Sequence, residues 1–231
     1  MENSSFGRIL GVLVAPVKTF RSIAERPTWV VPLVVFVLAI ALMTFMMFQK
    51  VDFAEAMREQ MAAQGQEVPP EAENMGGVMK GCAAVSAIVF PVILVLVLAG
   101  IYMIFNLFGG QLRYKTSLSV VSYATMPAVL MALLSIPVIL SRPELEMAQL
   151  QSGRVLASNL AFLAPEDASP RLVALLGSLD FFSLWSLVLT IVGFHLAARV
   201  SKTTAAGVSI AVWVLGVLFA VAMAGFRPQG G

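Results

Sequence analysis

Few side chains in this sequence are of types that do chemistry, and two of them bracket one apolar run. Asp180 opens the stretch DFFSLWSLVLTIVGFH and His195, the chain's single histidine, closes it. A carboxylate beside an imidazole would be a proton-handling pair, but the spacing forbids that here. The two positions are fifteen residues apart, about 22 Å along a helix at about 1.5 Å per residue, so they sit at opposite ends of any helix that holds both. Asp180 reads instead as a helix-opening residue, where a carboxylate satisfies orphan N–H groups and the helix dipole favours an anion. His195 reads as an end residue beside Arg199 and Lys202, at the level of lipid phosphates.

A second polar group is Asn106 with Ser119, Ser122 and Tyr123. The last three stand at i, i+3 and i+4, on one helical face. Pro127 follows four residues after Tyr123 and leaves its carbonyl without the usual helical donor. A small, kinked polar cluster is one reading; interhelical hydrogen bonding that only holds a bundle together is the other, and the one favoured. Asp180, His195, Asn106, Ser119, Ser122 and Tyr123 are the candidate functional polar positions.

Catalytic signatures are missing. The sequence has no phosphate-binding G-x-x-x-x-G-K-[ST], no H-E-x-x-H and no G-x-S-x-G. A lone cysteine, Cys82, and a lone histidine make a metal site from this chain improbable. No nucleophile–base set is evident. The expectation is no enzyme, no catalytic residue, no cofactor and no metal. Nucleic acid is excluded as a partner for want of a basic face or soluble module.

The elements that must carry these residues follow from composition. Of 231 residues, 59% are hydrophobic and 12% charged, and the mean hydropathy is +0.89. A soluble domain has about 25% charged residues, so this chain lacks the polar surface to dissolve in water. It reads as an all-α integral membrane protein. Apolar runs long enough to span, about 20 residues each, fall at 28–48, 83–108, 118–140, 180–198 and 204–226. Outer loops would cover 49–82 and 141–179. Helical spacing continues in DFAEAMREQMAA and recurs in LQSGRVLASNLAFLAP and SPRLVALLGSL. Gly193–Ala197 and Gly207–Ala211 are small-xxx-small pairs that would let the last two spans approach closely.

With the N-terminus inside, short inner segments hold Arg8, Lys18, Arg21 and Arg26, then Arg113 and Lys115, then Arg199 and Lys202. That density predicts a cytoplasmic N-terminus and an external C-terminus. Residues 1–27 form a unit distinct from the bundle of 28–231. Phe6, Leu10, Leu13, Val17, Phe20 and Ala24 recur at steps of three and four, predicting an amphipathic interfacial helix bent at Pro16. Lys18, Arg21, Arg26, Arg199 and Lys202 are the expected lipid-headgroup contacts.

Three stretches together resemble the bacterial branch of the Yip-domain family of five-helix membrane proteins. They are LVAPVKTFRSIAERP, with Pro16, Phe20 and Ile23; GGQLRYKTSLSVVSYATMPAVL, with Tyr123, Ala124 and Pro127; and the run from Asp180 through Phe182, Trp185 and Gly193 to Ser201, Lys202 and Ala205. The resemblance implies five spans, a cytoplasmic N-terminus, and roles in membrane shaping, trafficking or partner recruitment. Eukaryotic members have a longer polar N-terminal region, so their binding of Rab GTPases is not carried over.

The functional expectation is a non-enzymatic scaffold, adaptor or membrane-organising protein of the bacterial cytoplasmic membrane. Its partners would be anionic lipid headgroups, together with other membrane proteins or further copies of itself. The alternative is a permease or channel for a small neutral solute, passing through the Asn106–Tyr123–His195 region.

Overall fold

A computed structural model describes residues 4–51, 72–142, 156, 158–165 and 168–225. The helical stretch expected at 52–63 lies outside them, as do residues 150–155 and 157 of that expected at 150–165. Nine helices are described: α1 Ser5–Val14, α2 Pro16–Glu25, α3 Val30–Phe48, α4 Ala72–Ile101, α5 Tyr114–Ala124, α6 Met126–Ser141, α7 Pro170–Ser178, α8 Phe181–Ala197 and α9 Lys202–Ala224. A 3-10 segment, Tyr102–Phe108, extends α4, and another lies at Leu160–Leu163. The sole β feature among the described residues is an isolated bridge between Asn159 and Asp180.

Four segments are long and apolar enough to cross a membrane: Val30–Gln49, Lys80–Phe108, Tyr114–Ser141 and Lys202–Ala224. The remaining expected span, the fourth in chain order, is α8, with 17 residues. That is about 25 Å of helix, somewhat short of a hydrocarbon core of about 30 Å.

The third span is two helices, α5 and α6, for the reason Pro127 supplies. Proline has no N–H for the Tyr123 carbonyl, and the helix breaks at Thr125, whose hydroxyl turns back to the Ser122 carbonyl at 2.8 Å. The N-terminal helix is likewise two helices rather than one bent helix. Ala15 leaves helical geometry (φ −142, ψ 60), and Pro16 starts α2 at a position where its missing N–H is no loss. Ser4 caps α1 by accepting from the Gly7 amide at 3.1 Å.

This break corrects the expected single apolar stripe. Phe6, Leu10, Val14 and Val17 face outward, 51–83% exposed. Val12, Phe20 and Ile23 are fully buried in the same core as Phe36, Phe105, Tyr123, Leu189 and Phe194. Thus α2 is built into the bundle against α8 and α5. Helix α8 packs on α2, α5, α6 and α9, whereas α9 leans only on α8, α7 and the 3-10 extension of α4 among its principal contacts.

Gly193 shows why α2 can dock. A Cβ there would lie 2.5 Å from Val120 Cγ1 and 3.0 Å from Phe20 Cε1. The glycine therefore serves α2 and α5, not the α8–α9 pairing expected from its small-xxx-small spacing. A Cβ on Gly207 would meet nothing within 4 Å.

Candidate functional site

The structure places the sequence-named polar residues one by one, at helix ends or within α5. Asp180 is the N-cap of α8: its Oδ1 accepts from the Ser183 amide at 3.0 Å. His195 lies in the last turn of that helix, with Nδ1 2.7 Å from the Val200 carbonyl. The amide of Asn106 clasps the Leu112 backbone, donating to its carbonyl at 3.0 Å and accepting from its N–H at 2.8 Å. Ser119 and Ser122 donate to carbonyls one turn back, Lys115 and Leu118, at 2.8 and 2.7 Å. Tyr123 reaches Thr28 at 3.2 Å. Each of these groups closes a turn or ties a helix, and no hydrogen bond joins Asn106, Tyr123 and His195 to one another.

Arg8 is the polar residue whose burial sequence reasoning missed. It is 4% exposed. Nη1 donates to the Arg26 carbonyl at 2.9 Å and the Thr28 hydroxyl at 3.2 Å, while Nη2 donates to the Ser22 hydroxyl at 3.0 Å. Arg26 is the C-cap of α2, so the guanidinium sits at the end of a helix whose dipole favours a cation. Thr28 continues to Tyr123, and one guanidinium thereby joins α1, α2, the start of α3 and α5. The periodicity gave no cue, because Arg8 looked like one more polar residue between apolar ones.

Two cavities stand at opposite ends of α8. The first, of about 680 Å³, is lined by Arg21, Glu25, Arg113, Lys115, Thr116 and Arg199 among others, four cations against one carboxylate. They come from α2, the start of α5 and the turn after α8. Gly109 (φ +79) ends the 3-10 extension in a left-handed turn, and the amide of Gln111 then bonds the Ala198 carbonyl at 3.2 Å. That contact brings Arg113 and Lys115 beside Arg199. Arg199 itself has φ 57, a left-handed conformation that costs a non-glycine residue about 1–2 kcal/mol. The N-terminus of α5 has no side-chain cap, which adds positive potential at the same place. Of the expected headgroup contacts, Arg21 and Arg199 line this cavity. Lys18, Arg26 and Lys202 are exposed outside its lining. Arg113 and Lys115 belong to it and were read from sequence only as orientation signals.

The second cavity, of about 480 Å³, lies within the bundle between α4, α6, α8 and α9, with walls that are largely apolar. Asp180 and Ser178 line one end of it and Tyr102 and Thr190 lie further along α4 and α8. Asp180 is 7% exposed, and its Oδ2 is buried without a hydrogen-bond partner.

Comparison with known proteins matches this sequence to a family of membrane proteins. The chain is 25% identical over 214 residues to membrane protein YknW of Bacillus subtilis (strain 168), covering 91% of this chain and 86% of that one. No solved structure matches. Residues 10–223 match the Yip1 domain, a stretch that runs from α1 to the last turn of α9 and takes in both cavities. With the docked α2, the Pro127 break and the capped α8 all inside that match, the chain belongs to the Yip1-domain family of membrane proteins.

Proposed function

We propose that this protein is a non-enzymatic scaffold or adaptor of the bacterial cytoplasmic membrane. It crosses the bilayer five times, with its N-terminus in the cytoplasm, and seats an anionic lipid headgroup in its basic cavity. The observation that carries this reading is the convergence of Arg21, Arg113, Lys115 and Arg199, from three separate stretches of chain, on one cavity. These are residues that the density of basic side chains assigns to the cytoplasmic side. Around them, Phe6, Leu10, Val14 and Val17 offer apolar side chains outward from α1 and α2, as a membrane-resting surface would. Recruitment of a membrane-protein partner to a lipid-charged surface is the adaptor role this geometry supports best. The solute-permease reading has less support, since Asn106 and His195 bond nearby backbone and Tyr123 is tied to Thr28.

Chemical crosslinking and pull-down from native membranes tests the proposal, with co-purifying lipids and proteins both read out. Each Lys or Arg near an anionic surface contributes about 1 kcal/mol of attraction. Replacing all four cavity cations by Gln should therefore cut retained anionic lipid several-fold and release co-purifying protein. Equal anionic-lipid retention by the two forms, with no protein enriched over an unrelated multi-pass control, would overturn it.

A further inference from the structure

The buried carboxylate at the other end of α8 is not accounted for by helix capping. A cap needs one acceptor, and Asp180 Oδ1 provides it to the Ser183 amide at 3.0 Å. The second oxygen, Oδ2, is enclosed and has no partner, on a side chain that is 93% buried by its 7% exposure. An unsatisfied buried acceptor costs about 1–3 kcal/mol, and more when it is charged. The serine and asparagine caps found elsewhere in this chain, Ser4, Ser169, Ser201 and Asn159, provide the same service without a formal charge. The charge at residue 180 therefore calls for a second role.

The cavity that Asp180 borders suggests what that role is. Its volume of about 480 Å³ lies within the about 300–1,000 Å³ typical of small-molecule sites, which are mostly apolar with a few placed polar groups. Leu94 and Leu98 line one wall from α4, and Val212 and Gly216 line another from α9. Helix α9 meets the 3-10 extension of α4 but is not among the principal partners of α4 itself, and Leu94 and Gly216 are both exposed, which puts the way in between these two helices. A slot entered from the acyl-chain region, apolar along its length and carboxylate-ended, fits one class of molecule. We propose that this cavity binds a single-chain amphiphile whose ammonium head donates to Asp180 Oδ2 while its alkyl chain lies between α4, α6 and α9. The site is independent of the headgroup cavity, which lies at the opposite end of α8.

Trp213 provides the readout. It lines the cavity, and its indole N–H donates to Ser183 Oγ at 3.1 Å, on the residue whose amide Asp180 caps. The experiment uses the full chain in nanodiscs of unbrominated lipid and three probes of one chain length, each brominated at the same mid-chain carbon: an alkylamine, an alkanol and an alkanoate. Bromine quenches indole fluorescence at short range, and a Trp213→Phe variant measures the contribution of Trp29 and Trp185. The amine should quench Trp213 at a concentration about ten-fold below the alkanol, the scale expected for a charge-assisted hydrogen bond, and the alkanoate should be weakest.

Asp180→Asn keeps a good N-cap and removes the charge, so it should bring amine and alkanol together while leaving the thermal transition in place. Gly216→Phe, whose Cβ meets nothing within 4 Å, should narrow the way in and reduce quenching by all three. A second arm compares brominated single-chain (lyso) ethanolamine and choline lipids, since the choline head has no N–H. Preference for the ethanolamine lipid identifies the bilayer as the source of the ligand; equal quenching by the two lipids, with the amine preference intact, identifies a free amphiphile. Amine and alkanol quenching the native protein alike, an amine preference that survives Asp180→Asn, or quenching unchanged by Trp213→Phe would each overturn the proposal.

Discussion

At the scale of single residues, the scarce polar groups of this chain act mainly as fasteners, and Arg8 is the most consequential of them. A guanidinium presents several donors in a fixed plane, whereas an ammonium is a single point of charge. Arg8 uses that plane to reach the end of α2, the Ser22 and Thr28 hydroxyls and, through Thr28, Tyr123. Hydrogen bonds to a charged donor contribute about 1.5–3 kcal/mol each in mutational series, with incomplete additivity. Arg8→Ala should lower stability by about 2–4 kcal/mol, read as a fall in the thermal transition of purified protein followed by size-exclusion fluorescence. Arg8→Lys should recover only part of the loss, because one ammonium cannot reach the same acceptors. Equal behaviour of the Ala and Lys variants would mean that the fork geometry is irrelevant.

Element by element, the decisive contact is α2 against α8, and it turns on the fit of Phe20 over Gly193. Adding a methyl at Gly193 forces Val120 and Phe20 apart, and overpacking of this kind costs about 1–3 kcal/mol. Gly193→Ala should therefore destabilise by that amount. Phe20→Leu, costly alone, should be less costly in the Gly193→Ala background, a negative coupling in a double-mutant cycle. Strict additivity would remove Phe20 from the contact. This pairing also marks where sequence reading reached its limit. Periodicity located Phe20 on an apolar face, and spacing flagged Gly193 as a close-approach site. Neither says which surface the face meets, because an apolar stripe is equally consistent with lipid and with a protein groove. The same stripe divides within α2, with Phe6, Leu10 and Val17 facing out and Phe20 facing in. Local signals of fixed chemistry were legible: Asp180 as a cap, Pro127 as a kink, and four of the apolar runs as spanning lengths. The convergence of Arg21, Arg113, Lys115 and Arg199 was not, since it depends on the Gly109–Gln111 turn bonding the far end of α8.

For the whole molecule, the question is how many times the chain crosses the bilayer, and α8 decides it. Four segments are long enough by themselves, which would return both termini to one side. At 17 residues, α8 is shorter than the bilayer core. Yet it follows its neighbours over much of their length. Its C-terminal Ala198 carbonyl meets the turn that follows α4, where Arg113 and Lys115 begin the third span. Its N-terminal Asp180 borders the second cavity together with Met131 of α6, well along that same span. For a helix so placed to cross, local thinning or snorkelling of Arg199 and Lys202 would make up the few ångströms lacking. The expectation is an odd number of crossings with the two termini on opposite sides. Reporter fusions at Met1 and Gly231, paired with one after Leu179, test it. Activity of a cytoplasm-only reporter should appear at the N-terminus alone, and that of an export-dependent reporter at both Leu179 and the C-terminus. Export-dependent activity at Leu179 together with a cytoplasmic C-terminus would mean that only one of α8 and α9 crosses. The basic cavity would then lose its common cytoplasmic face only if α8 were the helix that fails, because Arg199 is the one lining cation that α8 must deliver there.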